Sequence, residues 1–167
     1  MIPKKSSIII KTTTETDLDY ITQAEKHPHN VPYVGQWSSE QHRKSFTNPD
    51  IAHRTIWVDG QRVGYYILRG LQNPYRSIEF MRLVVTVKGK GYGRQVMQHI
   101  KRLAFEQLKA HRLWLDVRAD NLLAKELYIS EGFIEEGTLR ECDKMDGEWV
   151  SLTILSILEE EYCSQVL

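Results

Sequence analysis

The chain has 167 residues, 41% hydrophobic and 26% charged, which suits one domain, residues 1–167, around one core. Lys plus Arg and Asp plus Glu each number 22, a formal charge of zero that speaks against a general nucleic-acid binder or a membrane-surface protein. Cys142 and Cys163 alone make no disulfide framework. No apolar run approaches the ~18 residues of a membrane span, and Lys4-Lys5 leads only into Ile8-Ile9-Ile10, so no signal peptide is read and the cytoplasm is expected.

The β-branched residues 7–11 predict a first strand. Thr14-Glu15-Thr16-Asp17 starts a helix that Leu18, Ile21 and Ala24-Glu25 continue at helical spacing. His27-Pro28-His29-Asn30-Val31-Pro32 breaks the chain into a loop. Ser38-Ser39-Glu40 opens a second helix to about residue 46, stopped by Asn48-Pro49-Asp50. Residues 55–58 and 62–68 flank Asp59-Gly60, a hairpin signal because both turn residues tolerate positive φ. Residues 77–87 are the next strand, apolar on both faces as in a sheet covered on both sides.

From Arg94 onward Val96, Met97, Ile100, Leu103, Ala104 and Leu108 form a helical stripe. Leu113, Leu115 and Val117 alternate as a strand. Strand, helix and strand make a right-handed crossover between parallel strands. Residues 121–131 read as a helix ended by Gly132. Residues 133–142 and 148–158 form a final antiparallel pair. Glu159-Glu160-Glu161 reads as a solvated tail. The fold class is mixed α/β, with about seven strands and about four helices around a βαβ core.

The most informative stretch is Lys88-Gly89-Lys90-Gly91-Tyr92-Gly93, between the 77–87 strand and the helix that follows. Glycines let backbone amides approach phosphate oxygens, and a helix N-terminus favours negative charge. No P-loop string is present, and the third glycine is misplaced for a dinucleotide fingerprint. A phosphorylated ligand is expected. A flexible turn that merely caps the helix is the plainer alternative.

This stretch resembles the acetyl-CoA signature of the GCN5-related N-acetyltransferase (GNAT) superfamily, Arg/Gln-x-x-Gly-x-Gly/Ala, with Lys88 in place of Arg or Gln. The family's second block is matched by residues 113–117, Asn121, Ala124, Tyr128 and Gly132-Phe133. Residues 136–141 look like the ribosomal-protein and polyamine branch. The resemblance covers nearly the whole chain. It implies that two central parallel strands splay near the glycine loop and that the pantetheine arm of the cosubstrate, acetyl-CoA, lies in the gap. Lys88, Gly89, Lys90, Gly91, Tyr92, Gly93 and Arg94 would hold its pyrophosphate. A backbone N–H around Leu83, Val84 or Val85 would polarise the thioester; as side chains those three read equally as core.

Acetylating an amine also needs a proton acceptor and a proton donor. Glu79, nine residues before Lys88, is the candidate base, since burial raises a carboxyl toward neutrality; alternatively it is a strand residue paired with Arg82 or Arg76. Asn121, Ala124 and Tyr128 share one helix face at i, i+3 and i+7. Asn121 and Ala124 would meet the cofactor arm and Tyr128 would protonate the sulfur, unless Tyr128 is simply a core aromatic. The resemblance places the acceptor near Tyr33 and Trp37, which otherwise pack over the sheet. No metal site is expected: His27 and His29 lack further ligands. With no cysteine near the motif, direct attack in a ternary complex is favoured over an acetyl-enzyme. The acceptor is left open between a small-molecule amine, such as a polyamine or an antibiotic, and a protein N-terminal amine. A homodimer is left open too, and a non-catalytic acyl-CoA sensor of the same fold is the rival reading.

Overall fold

The computed structural model describes residues 7–166; Lys4 and Lys5 lie outside the described residues. Seven strands form one sheet in the order β1-β2-β3-β4-β5-β7-β6. They are β1 Ile9–Thr12, β2 Ile51–Val58, β3 Gln61–Arg69, β4 Ser77–Val85, β5 Arg112–Arg118, β6 Ile134–Met145 and β7 Glu148–Leu158. All neighbours run antiparallel except β4 and β5, which are parallel and joined through a helix.

Among the described residues five α-helices are seen, one more than expected: α1 Leu18–Lys26, α2 Ser39–Phe46, α3 Tyr92–Arg102, α4 Leu122–Ser130 and α5 Glu159–Val166. A 3-10 turn at Glu15–Asp17 precedes α1, and α3 continues into a π-helical turn, Leu103–Gln107. The acidic triplet 159–161 is therefore no free tail. It opens α5, where acidic groups suit the positive end of the helix dipole, and Tyr162 behind it is buried and stacked on Phe105 with ring centroids 4.8 Å apart.

Each face of the sheet has its own core. On one side Val96, Met97 and Ile100 of α3, with Ala104 and Phe105, pack on Ile78, Phe80, Leu113 and Leu115. On the other, Ile21 and Ala24 of α1 pack on Tyr65, Ile67 and Val84. Ile100 and Met97 are fully buried, and truncating either to Ala would cost about 2–5 kcal/mol.

One irregularity matters for the site. Ile67 pairs with Arg82 but Leu68 pairs with Phe80, so Met81 is an extra residue in β4. Such a bulge flips the in–out alternation and sharpens the local twist. Ile78 and Phe80 face the α3 side before it, and Leu83 faces that side after it, while Met81 and Val84 face α1.

Candidate active site

β4 and β5 are paired only at Ser77–Arg112, Ile78–Leu113 and Glu79–Trp114. Beyond Glu79 the two strands carry no ladder between them, although each keeps its outer partner, β3 or β7. The sheet is thus open between residues 80–85 and 115–118, and the bulge at Met81 lies at the start of the opening. This is the splay that the resemblance implies. Leu83, Val84 and Val85 line its β4 edge, Val84 buried and the other two half-buried.

The loop after β4 turns through two left-handed glycines, Gly89 at φ 74° and Gly91 at φ 75°. Gly91 is the N-cap of α3, which has no side-chain cap. Thr86 N–H bonds the Val63 carbonyl, but among the described residues no amide from Lys88 to Arg94 finds a protein acceptor. A row of open amides at a helix N-terminus is an anion cradle. Gly93 is instructive because neither conformation nor packing demands it: it lacks a positive φ, and a Cβ there would meet only Leu127 Cδ2, at 3.7 Å. The space beside it suits a close-packed ligand. The open strands, the amide row and this gap together fit an extended pyrophosphate-bearing cofactor.

The charged side chains of the loop diverge. Lys88 lines a cavity of about 280 Å³ with Tyr20, Gln23, His27 and Thr86, and burial pushes its amine down. Arg94 instead reaches Glu131 and donates to Ser130 Oγ at 3.1 Å. Lys101 joins it there, donating to the Glu131 carbonyl at 2.6 Å. This buried pair locks α3 against the end of α4. Asn121 is the N-cap of α4 and its carboxamide oxygen accepts from Ala124 N–H at 3.3 Å. Capping of this kind is worth about 1 kcal/mol.

Glu79 is buried at the apex of the opening. Arg69, directly opposite on β3, donates from Nε to its carboxylate at 2.7 Å. Its ion-pair partner is therefore Arg69, neither Arg82 nor Arg76. Asp116, which sequence reading did not single out, lies on β5 two residues past the last parallel pair. Asp116 is exposed as a residue, yet the protein around its carboxyl withholds enough water to push it up, and the charges of Glu79 and then Asp143 add to the effect. Leu113, Leu115 and Val117 face the α3 side, so alternation puts Asp116 on the α1 side. Glu79 shares that side, being out of phase with Ile78 and Phe80.

Tyr128 lies on the other side, half-buried, edge-on to Phe80 at 6.5 Å and beside Phe133 at 6.0 Å. Burial, then Asp116, pushes its hydroxyl up to about 12. Among the described residues the hydroxyl has no hydrogen-bond partner.

The α1–α2 loop bridges the opening on the α1 side. Arg118 of β5 donates to the Pro32 carbonyl at 2.9 Å and sits 5.5 Å from the Tyr33 ring. Arg82 of β4 lies 4.8 Å from the Trp37 ring. Tyr33 and Trp37 are thus held on the same side as Glu79. Among the described residues no group of three or more His, Cys, Asp or Glu is placed to hold a metal ion, and no helix is long and apolar enough to cross a membrane.

Residues 18–133, well over half of the chain, match the model of the Acetyltransferase (GNAT) family. A spermidine N(1)-acetyltransferase of Vibrio cholerae is 26% identical over 137 residues, 80% of this chain and 79% of that one. An uncharacterized N-acetyltransferase, p20, of Bacillus licheniformis is 30% identical over 74 residues, 44% of this chain and 42% of that one. The crystal structure of the V. cholerae spermidine N-acetyltransferase in complex with CoA and spermine superposes with a TM-score of 0.85 at 22% identity, over 94% of this chain and 98% of that one. The chain belongs to the GNAT acetyltransferase family and is an acetyl-CoA-dependent N-acetyltransferase.

Proposed function

We propose that this enzyme, one catalytic domain working in the cytoplasm, acetylates a small polycationic amine of the polyamine class by direct attack in a ternary complex. The observation that carries the reading is the position of Glu79 and Asp116 on one side of the sheet at the opening, where burial raises the Asp116 carboxyl and the charges of Glu79 and then Asp143 add to it. Carboxylates gathered beside the opening attract and orient a multiply charged ammonium ligand. The spermidine acetyltransferase relative supports the same acceptor class.

When bound, acetyl-CoA supplies a thioester that an unprotonated amine can attack. The amides of Lys88 to Arg94 and the α3 dipole hold its pyrophosphate. Ala124 leaves room for the pantetheine arm beside the Asn121 cap, and a backbone N–H of Leu83, Val84 or Val85 polarises the carbonyl. Glu79, with Asp116 beside it, pairs with the incoming ammonium and takes its proton directly or through water. Arg69 steadies the charge of Glu79 as the proton moves. Tyr128, with its hydroxyl held up near 12, keeps its proton until the thiolate departs. Tyr33 and Trp37 form the wall against which the acceptor lies.

The test is thiol release with spermidine, spermine and short peptides bearing free N-termini. The expected result is a kcat/KM for the polyamines at least about tenfold above the peptides, a modest pocket's worth of discrimination. A preference for peptides would overturn the acceptor class. CoA binding without turnover of any amine would mark the chain as a sensor.

A further inference from the structure

Beneath the α1–α2 loop lies a buried polar chain that the acetyl transfer itself does not use. Thr13 Oγ1 is 2.8 Å from His53 Nδ1, and His53 Nε2 is 3.0 Å from His42 Nδ1. His42 Nε2 in turn lies 3.0 Å from Glu25 Oε1, in charge contact though not aligned as a hydrogen bond. Glu25, 1% exposed, also accepts from Tyr65 Oη at 2.5 Å, Arg82 at 2.6 Å and the Trp37 main-chain N–H at 3.0 Å.

A carboxylate can only accept, so Glu25 is the fixed end of this chain, drawing Tyr65, Arg82 and the Trp37 amide as donors. Beyond it the His42 Nδ1–His53 Nε2 and His53 Nδ1–Thr13 Oγ1 contacts each hold one proton between two atoms, so the two rings and the hydroxyl are fixed against one another. Burial, followed by the His42 and Arg82 charges, drives His53 down to about 3, so its ring stays neutral.

A charge so deeply buried is expensive to keep without a purpose beyond packing. What Glu25 holds is the loop. Its carboxylate fixes the Trp37 amide, and its carbonyl accepts from Gln36 Nε2 at 2.8 Å. Through Arg82 it also fills the floor under the loop: a Cβ on Gly35 would fall 2.9 Å from the Arg82 guanidinium. Asn30 ties the near end of the loop to the Ala24 carbonyl at 2.7 Å.

We infer that Glu25, oriented through His42, His53 and Thr13, is a positioning residue for the acceptor, setting Trp37 and Arg82 at the wall of the opening. The inference rests on the reading of Tyr33 and Trp37 as acceptor residues. It predicts an effect on acceptor binding with none on the cofactor, whose cradle lies at the start of α3.

Steady-state kinetics with spermidine and acetyl-CoA test it on Glu25→Gln, Thr13→Val and Trp37→Ala, with acetyl-CoA affinity read by thermal shift. Expected are a rise in spermidine KM of about tenfold in Glu25→Gln and a smaller rise, about two- to fivefold, in Thr13→Val. In both, kcat and acetyl-CoA affinity stay within about twofold, the pattern of lost uniform binding. Thr13→Val removes one hydroxyl at the far end of the chain, so it serves if Glu25→Gln fails to fold. A raised KM in Trp37→Ala with an unchanged KM in the other two overturns the inference and leaves the acceptor wall standing. An unchanged KM in all three overturns both. Equal losses for spermidine and acetyl-CoA mean that Glu25 serves the fold alone, and overturn the inference too.

Discussion

Burial raises the carboxyl of Asp116 on β5, and the charge of Glu79 on β4 adds to it across the point where their strands part. A neighbouring negative charge disfavours ionisation of Asp116, which marks this pair as the place to look for the base. Glu79→Gln should lower kcat/KM most at low pH, where the acceptor is mostly protonated, and recover partly as free amine becomes abundant. A pH–rate profile between about pH 6 and 10 decides it. A profile superimposable on wild type removes Glu79 from the mechanism. A shift of the limb to lower pH without loss of rate hands the base role to Asp116, because removing the neighbouring charge lowers that carboxyl.

Tyr128→Phe should lower kcat by about 10²- to 10⁴-fold, the range of a general acid, with little change in acetyl-CoA affinity. Among the described residues the hydroxyl has no partner to lose, and Phe keeps the contacts with Phe80 and Phe133. With its proton held to about 12, this tyrosine should give no descending limb below about pH 10 in the wild-type profile. Full activity in the mutant would return Tyr128 to the core.

Gly93→Ala separates folding from binding. Gly93 is helical and a Cβ meets only Leu127, at an ordinary contact distance, so alanine should stabilise the free protein by about 0.5–1 kcal/mol. The same methyl would crowd a pyrophosphate at the α3 N-terminus. The expected outcome in differential scanning fluorimetry is a higher Tm alone and a smaller rise on adding acetyl-CoA. An undiminished ligand shift would place the cofactor elsewhere.

His53 makes the fold sensitive to acid. Its folded-state value is near 3 against an ordinary 6.5. The unfolded chain therefore binds a proton that the folded one refuses throughout that window. Stability from this group is complete above the ordinary value and falls by about 1.4 kcal/mol per pH unit below it. Glu25, held low because four hydrogen-bonding or charged partners outweigh its burial, adds a further loss below the ordinary carboxylate range. Tm should drop steadily from about pH 6.5 to 4, and His53→Gln should flatten that slope even where its Tm is lower. Parallel slopes in the two proteins would deny the role.

Much of this was legible along the chain. Alternation and helical stripes marked the crossover. The Asp59-Gly60 turn carries positive φ at both residues, as its composition foretold. The glycine loop announced itself because left-handed backbone and close approach need one residue type. What escaped were relations between distant segments. The bulge at Met81 is set by pairing with β3 and leaves no mark in β4's own pattern. Arg94 reads as a loop cation until Glu131, 37 residues on, is seen beside it. Asp116 hides among alternating apolar residues. Glu25 did leave a trace: it falls four residues after Ile21, on the buried face of α1, where a carboxylate needs a reason.

The sheet is continuous from β1 to β6 only through three residue pairs, at Ser77, Ile78 and Glu79 of β4. Mechanically the enzyme is two plates joined by a short seam. Strands β1–β4 form one plate, with the cofactor loop at its end, and β5–β7 form the other. Under load that seam is where the chain would yield first, backed by α3 packed across both plates, by the loop gripped by Arg82 and Arg118, and by the α3–α4 lock at Glu131. A bound ligand seated between the plates acts as mortar, so occupancy should raise the force needed to part them even where no strand gains a residue.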